Sequence, residues 1–162
     1  MKSKHFKAYE LVPKKVYESY LIKQADGSVI DNTDLIFDLF DEGIITAIDW
    51  IKENIAVERS MIINNWKWVS VKAYQYRGLR TPESSDYTPH SMHNLKNGKV
   101  NAIDFHIKGL SAGTVRLKIF NSENVPELLG IKRMENVEGW VHIDNLKTQK
   151  KYDNRRIYLF NI

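Results

Sequence analysis

Two short stretches of this chain alternate ionisable and aliphatic residues. In residues 101–107, Asp104 and His106 alternate with Ile103, Phe105 and Ile107. In residues 140–144, Trp140, His142 and Asp144 alternate with Val141 and Ile143. Side chains of a β-strand repeat every two residues, so each stretch can pack one face and present a site on the other. Just upstream lies His90-Ser91-Met92-His93, in a polar segment. Imidazoles and a carboxylate gathered on one sheet face suit a divalent ion, and a catalytic zinc site needs three protein ligands with a fourth position open. With no cysteine in the chain, thiolate ligands, a cysteine nucleophile and disulfides are excluded.

The elements that must position these residues read as α+β. Leu35, Ile36, Leu39 and Phe40 recur at helical spacing after possible caps at Asn32 or Thr33, and Ile44, Ile45, Ile48 and Ile51 continue the period beyond an interruption at Gly43. Residues 59–63 form a β-branched run that predicts a core strand. Residues 66–92 are rich in aromatic and turn-forming residues without helical period. A connection this long inside a compact domain is usually functional, and its aromatic part, residues 66–76, is expected either to wall a substrate groove or to join the core. Ser111 is expected to cap a helix through Phe120, with a second short helix stopped by Gly130. Residues 131–135 and 140–144 read as strands joined by a four-residue loop, which would set Glu135 opposite Trp140. Residues 156–160 would form a last strand. The order predicts a small antiparallel sheet with helices packed on one face.

A chain of 162 residues makes one domain. Residues 1–30 read as a docked N-terminal arm or short helix, with a turn at Asp26-Gly27. The composition, 43% hydrophobic and 27% charged, is that of a globular chain rather than a disordered one. No apolar run is long enough to span a bilayer, and residues 1–20 are too charged for a secretory signal, so no membrane partner is expected. The net charge of +4 is spread in short clusters at Lys14-Lys15, Lys150-Lys151 and Arg155-Arg156. A nucleic-acid reader concentrates its charge on one face, so no nucleic-acid partner is expected. The chain has no Gly-x-Ser-x-Gly elbow and no Gly-rich phosphate loop, which removes those hydrolase and nucleotide-binding classes.

Arg80-Thr81-Pro82-Glu83-Ser84, Ser91-Met92-His93, Gly98 through Ala102-Ile103-Asp104, and Trp140-Val141-His142-Ile143-Asp144 together resemble peptidase family M15. That family includes D-alanyl-D-alanine carboxypeptidases and phage L-alanyl-D-glutamate endopeptidases, and it shares its zinc fold with the hedgehog signalling domain. Phe6, Glu10-Leu11-Val12-Pro13, Ile63-Asn64-Asn65-Trp66, Arg77-Gly78-Leu79-Arg80, Lys108-Gly109-Leu110-Ser111-Ala112 and Arg133-Met134-Glu135 look like a phage and Bacteroides-type branch of it. The resemblance thus covers nearly the whole chain.

It implies a hedgehog-like fold and a Zn2+ site made by His93, Asp104 and His142. Arg80 would hold the substrate carbonyl or its oxyanion, and Ser91 would hydrogen-bond behind a ligand. The spacing from His93 to Asp104 is longer than is common in the family; a turn at Asn97-Gly98 would absorb the extra residues, and His90 is the substitute ligand. Gly139 stands where many members carry the catalytic Glu, which leaves Glu135, Glu138 and Asp144 as bases, Glu135 first and Glu138 next. The implied activity is hydrolysis of amide bonds in peptidoglycan peptide by a monomeric enzyme, an endopeptidase or D,D-carboxypeptidase such as a phage endolysin. Without a signal peptide, it is expected to stay cytoplasmic until released, or to travel with a virion. The alternative is a binding or virion structural module that keeps the fold without catalysis.

Overall fold

The computed structural model describes residues 1–69, 74–95, 98–149 and 155–161. Residues 70–73 of the aromatic loop, the Asn97 half of the expected turn and the Lys150-Lys151 pair lie outside them.

The N-terminal region is docked on the core and includes a short helix. Phe6, Leu11 and Val12 are buried in the main core, and Ser3 and the Lys4 amide anchor the start of the chain on the buried Asp49 carboxylate. A 3-10 turn at Ala8–Glu10 precedes helix α1 (Lys14–Ser19). Strands β1 (Leu21–Lys23) and β2 (Val29–Asp31) then form an antiparallel hairpin around the Asp26-Gly27 turn.

The helical period after Asn32 resolves into two elements. A 3-10 segment covers Thr33–Leu39, and helix α2 covers Glu42–Asn54. The break falls before Gly43 because Asp41 caps α2, its Oδ1 accepting from the Ile44 amide at 3.2 Å. Gly43 therefore lies in the first helical turn. The backbone of Gly130 passes against it: a Cβ on Gly43 would meet the Gly130 Cα at 3.0 Å, and a Cβ on Gly130 would come within 2.5 Å of the Gly43 carbonyl carbon. Helix α3 (Ala112–Asn121) starts at its expected cap, Ser111. The short helix before Gly130 is a 3-10 turn, Pro126–Leu128.

Five strands make the main sheet, in the order β3 (Met61–Ile62), β4 (Ala102–Ile107), β6 (Val141–Asp144), β5 (Arg133–Glu135), β7 (Tyr158–Phe160). The sheet is mixed rather than antiparallel, because β7 runs parallel to β5. Ile103, Phe105, Ile107, Val141 and Ile143 face a single core shared with Ile44, Ile48 and Ile51 of α2 and Val115 and Ile119 of α3. The opposite face carries Asp104, His106, His142 and Asp144, as the alternation requires. No helix among the described residues is long and apolar enough to cross a membrane.

The β5–β6 register differs from the expected one. Arg133 pairs with Asp144 and Met134 with Ile143, so Glu135 falls opposite His142 rather than Trp140. The loop opens because the Asn136 amide bonds to the Phe160 carbonyl of β7 at 2.7 Å instead of continuing the hairpin. Trp140 consequently lies outside β6. A slip of two residues preserves the face, so Glu135 still shares the side of His142.

Candidate metal centre

Asp104 and His142 are direct cross-strand neighbours on β4 and β6. His93 reaches them from the loop that precedes β4, and all three are buried. Their donor atoms converge. His142 Nδ1 lies 2.6 Å from Asp104 Oδ1, and His93 Nε2 lies 3.3 Å from each of them. A tetrahedral ion bonded at about 2.0–2.1 Å holds its ligand atoms about 3.3 Å apart. Two edges of this triangle match that spacing, and the third is a hydrogen-bond length. The three residues form a group that could hold a metal ion.

The atoms turned away from the triangle are engaged as well. His93 Nδ1 donates to the Gly78 carbonyl at 2.8 Å, which turns Nε2 inward. His142 Nε2 donates to Asp144 Oδ2 at 3.0 Å, and Asp144 is clamped in turn by the Arg133 guanidinium at 2.7–3.1 Å. Asp104 Oδ2 accepts from Arg80 Nη2 at 2.9 Å. Partners of this kind set the tautomer and the orientation of metal-binding side chains. Ser91 acts one step further back, its Oγ accepting from the His93 amide at 3.2 Å.

The segment from Tyr76 to Arg80 threads these contacts together. Its carbonyls accept from Arg80 Nε (Tyr76), the Asp104 amide (Arg77) and His93 Nδ1 (Gly78), while the Arg80 amide donates to the His93 carbonyl. Gly78 is required by close packing: a Cβ there would meet the Leu11 carbonyl oxygen at 2.0 Å.

Charge is held tightly in this cluster. Burial works against ionisation of Asp104, but His93 and His142 outweigh it and keep the carboxyl well below its usual range. Burial likewise opposes a charge on His142, yet its hydrogen bonds to Asp104 and Asp144 raise it to about 9. Glu135 is shifted opposite to Asp104. Burial, at 8% exposure, pushes its carboxyl above the ordinary value, against the pull of His142.

Two cavities meet over the triangle. One, of about 590 Å³, is bordered by His93, His142, Glu135, His90, Arg133 and Phe160. The other, of about 390 Å³, extends over Tyr74, Gln75, Tyr76 and Arg77. Arg80, Asp86, Asp104 and Trp140 border both.

Among the candidates named from sequence, His93, Asp104, His142, Arg80 and Glu135 thus come together. Glu138 does not: it is exposed in the β5–β6 loop and borders neither cavity. His90 is exposed on the wall of the larger cavity and is not part of the triangle. Asp144 is fully committed to His142 and Arg133. The aromatic loop divides: Trp66 and Trp68 pack against Tyr9 of the N-terminal region, whereas Tyr74 and Tyr76 line the smaller cavity. Sequence reasoning missed the Gly78 carbonyl, which no residue type advertises, and Arg133, whose place two residues before Glu135 put it on the same face. Compared with protein-family models, with curated proteins and with solved structures, the chain has no match.

Proposed function

We propose that this protein is a zinc-dependent peptidase of the M15 type that hydrolyses amide bonds in the peptide of peptidoglycan. The observation that carries the reading is the inward convergence of three donor atoms whose outward partners are all occupied. A purely structural His–Asp–His cluster has no need of a groove over its donor atoms. Here two cavities open onto it, leaving room for a fourth position.

Zinc bound there supplies Lewis acidity and lowers the pKa of a water towards about 7. His93, Asp104 and His142 hold it, with the Gly78 carbonyl, Arg80 and Asp144 fixing their orientation. Glu135 takes the proton of the attacking water and passes it to the leaving nitrogen. It is the carboxylate next to His142 in the strand register, and burial shifts its pKa upward, the direction that helps a base hold the proton it has taken. Arg80 is tied through Nη2 to Asp104 yet borders both cavities, so its guanidinium stands beside the reacting carbonyl and stabilises the developing oxyanion.

The test is digestion of purified peptidoglycan by zinc-loaded protein, with released fragments identified by mass and His142→Ala as control. The expected result is cleavage of peptide amides by the native chain, and loss of both zinc and cleavage in the variant. Stoichiometric zinc without any released fragment would instead indicate the non-catalytic binding module.

A further inference from the structure

Two indoles at the start of the aromatic loop border neither cavity, and they differ in how far they are covered. Trp66 is half-buried, its Nε1 donating to the Val12 carbonyl at 2.9 Å. Trp68 is 56% exposed, yet it is not a loose side chain. Its ring meets Tyr9 edge to face with centroids 5.5 Å apart, and its indole N–H is directed at the Tyr9 hydroxyl. Tyr9 also meets Trp66 at 6.3 Å and Tyr17 of α1 at 6.0 Å, and the Lys67 ammonium lies 4.3 Å from the centre of the Tyr9 ring. The backbone beneath is fixed as well. The Asn65 amide donates to the Tyr74 carbonyl at 2.9 Å and Asn65 Oδ1 accepts from the Tyr74 amide at 2.6 Å, which closes the neck of the loop.

An exposed aromatic side chain that is already held in place loses little conformational freedom when a partner covers it. With both indole N–H groups engaged inside the protein, Trp68 offers a partner ring face rather than a donor, and the charged group beside it is the Lys67 ammonium. The face of an aromatic ring is negative and attracts weakly polarised C–H groups. A pyranose ring matches such a surface: one side of it is a flat array of C–H bonds, while the hydroxyls at its rim accept from an ammonium and stay hydrated. An extended peptide matches it less well, because its carbonyls need donors and the indole N–H groups are spent.

We propose that the cluster of Tyr9, Trp66, Lys67 and Trp68 is a glycan-binding platform, separate from the groove, that takes the sugar rings of a polysaccharide strand. The class of ligand follows from the rings and their spent donors; the choice of the peptidoglycan strand as that polysaccharide rests on the peptidase reading. Platform and groove share one loop, with Trp66 and Trp68 before its middle and the groove-lining Tyr74 and Tyr76 after it. The platform therefore raises how often a wall-bound substrate meets the groove and leaves the chemistry there unchanged.

Calorimetric titration of the zinc-loaded chain with peptide-free glycan strands of peptidoglycan reads the platform without any cleavage. Trp68→Ala is expected to weaken binding about 10-fold or more, the effect of removing an aromatic anchor, and Trp68→Tyr to recover part of the loss. Leu117→Ala removes a side chain of similar exposure, 57%, from α3 and should bind as the native chain does. On whole peptidoglycan the rate of Trp68→Ala should fall, while its kcat/KM on a short soluble stem peptide stays native; circular dichroism checks the fold of each variant. Native protein that binds no strands, binding unchanged in Trp68→Ala, or an equal loss in Leu117→Ala overturns the platform. So does a cluster that takes a proline-rich peptide or a second copy of the chain in place of the strands. In each of these cases hydrolysis of the soluble peptide leaves the peptidase reading standing. Strand binding that depends on Trp68 in a protein that cleaves no peptide leaves the platform standing and removes the peptidase reading.

Discussion

Substituting Gly78 by alanine tests whether main-chain packing behind His93 controls the metal centre. The new Cβ would lie 2.0 Å from the Leu11 carbonyl oxygen and 2.9 Å from its carbon. Cβ atoms essentially never approach within 3.0 Å, so the two segments must part by about 1 Å, the difference 3.0 − 2.0. The Leu79 amide is bonded to that same Leu11 oxygen at 2.9 Å, so the shift also strains a main-chain hydrogen bond. Gly78 contributes the carbonyl that holds His93 Nδ1 at 2.8 Å. Lengthening that bond by about 1 Å takes it past any useful hydrogen bond, and His93 then loses its fixed tautomer. Loss of a ligand's orienting partner costs about 10- to 100-fold in metal affinity. Competitive zinc titration of folded Gly78→Ala, with circular dichroism as a check on the fold, reads this directly. Wild-type affinity in a folded variant would refute the claim that this segment sets the ligand geometry.

Four further outcomes are expected. Glu135→Gln should retain zinc but lose about 10²- to 10⁴-fold in kcat, the usual contribution of a general acid–base, while Glu138→Gln keeps near-native turnover; the reverse pattern in peptide hydrolysis would move the base into the loop. Metal uptake should release a proton from His142, so affinity rises about tenfold per pH unit below about 9, measurable as buffer-dependent heat in calorimetry. In the metal-free protein the sign is opposite. The folded pKa of His142 is raised above 6.5, so its stabilisation is full below about 6.5 and is lost as pH climbs through about 9, which thermal unfolding across that range would follow. Asp144→Asn should weaken zinc binding, by about 10- to 100-fold at high pH, as read by chelator competition; unchanged affinity there would remove Asp144 from the centre.

Period-two alternation around Asp104 and His142 was enough to put them on one sheet face, because one side of each strand must meet α2 and α3. The Ser111 cap was legible for a similar local reason: its hydroxyl answers a free amide of the first turn. Pairings between distant segments were not. The parallel addition of β7 to β5 depends on a return of the chain that no local pattern encodes, and it is the Phe160 carbonyl that draws Asn136 away from the expected tight hairpin. The β1–β2 hairpin escaped notice because its strands are three residues long and largely exposed, so they carry no alternation signal. The identity of the ligand-orienting groups was half visible. Asp144 shares a face with His142 by spacing alone, but a carbonyl such as that of Gly78 is the same in every residue.

Asp144 has two jobs that pull metal affinity in opposite directions. In the metal-free centre both ring nitrogens of His142 face carboxylates, at 2.6 and 3.0 Å, so the ring is held as a cation, with the Nδ1 proton aimed at Asp104 from the atom that a metal would use. His93 differs in that the Gly78 carbonyl holds its Nδ1 and turns Nε2 towards the triangle. His142, with a carboxylate at each ring nitrogen, is a ligand where proton and metal compete. Asp144 strengthens the proton's hold on the ring, yet once the proton has gone the same carboxylate keeps the neutral ring aligned. Asparagine in its place loses the alignment at every pH but weakens proton competition only below about 9, where the native ring is charged. The Asp144→Asn deficit should accordingly shrink as pH falls from about 9 towards 6.5. A deficit that is constant across that interval would mean that Asp144 orients the ring without governing its proton.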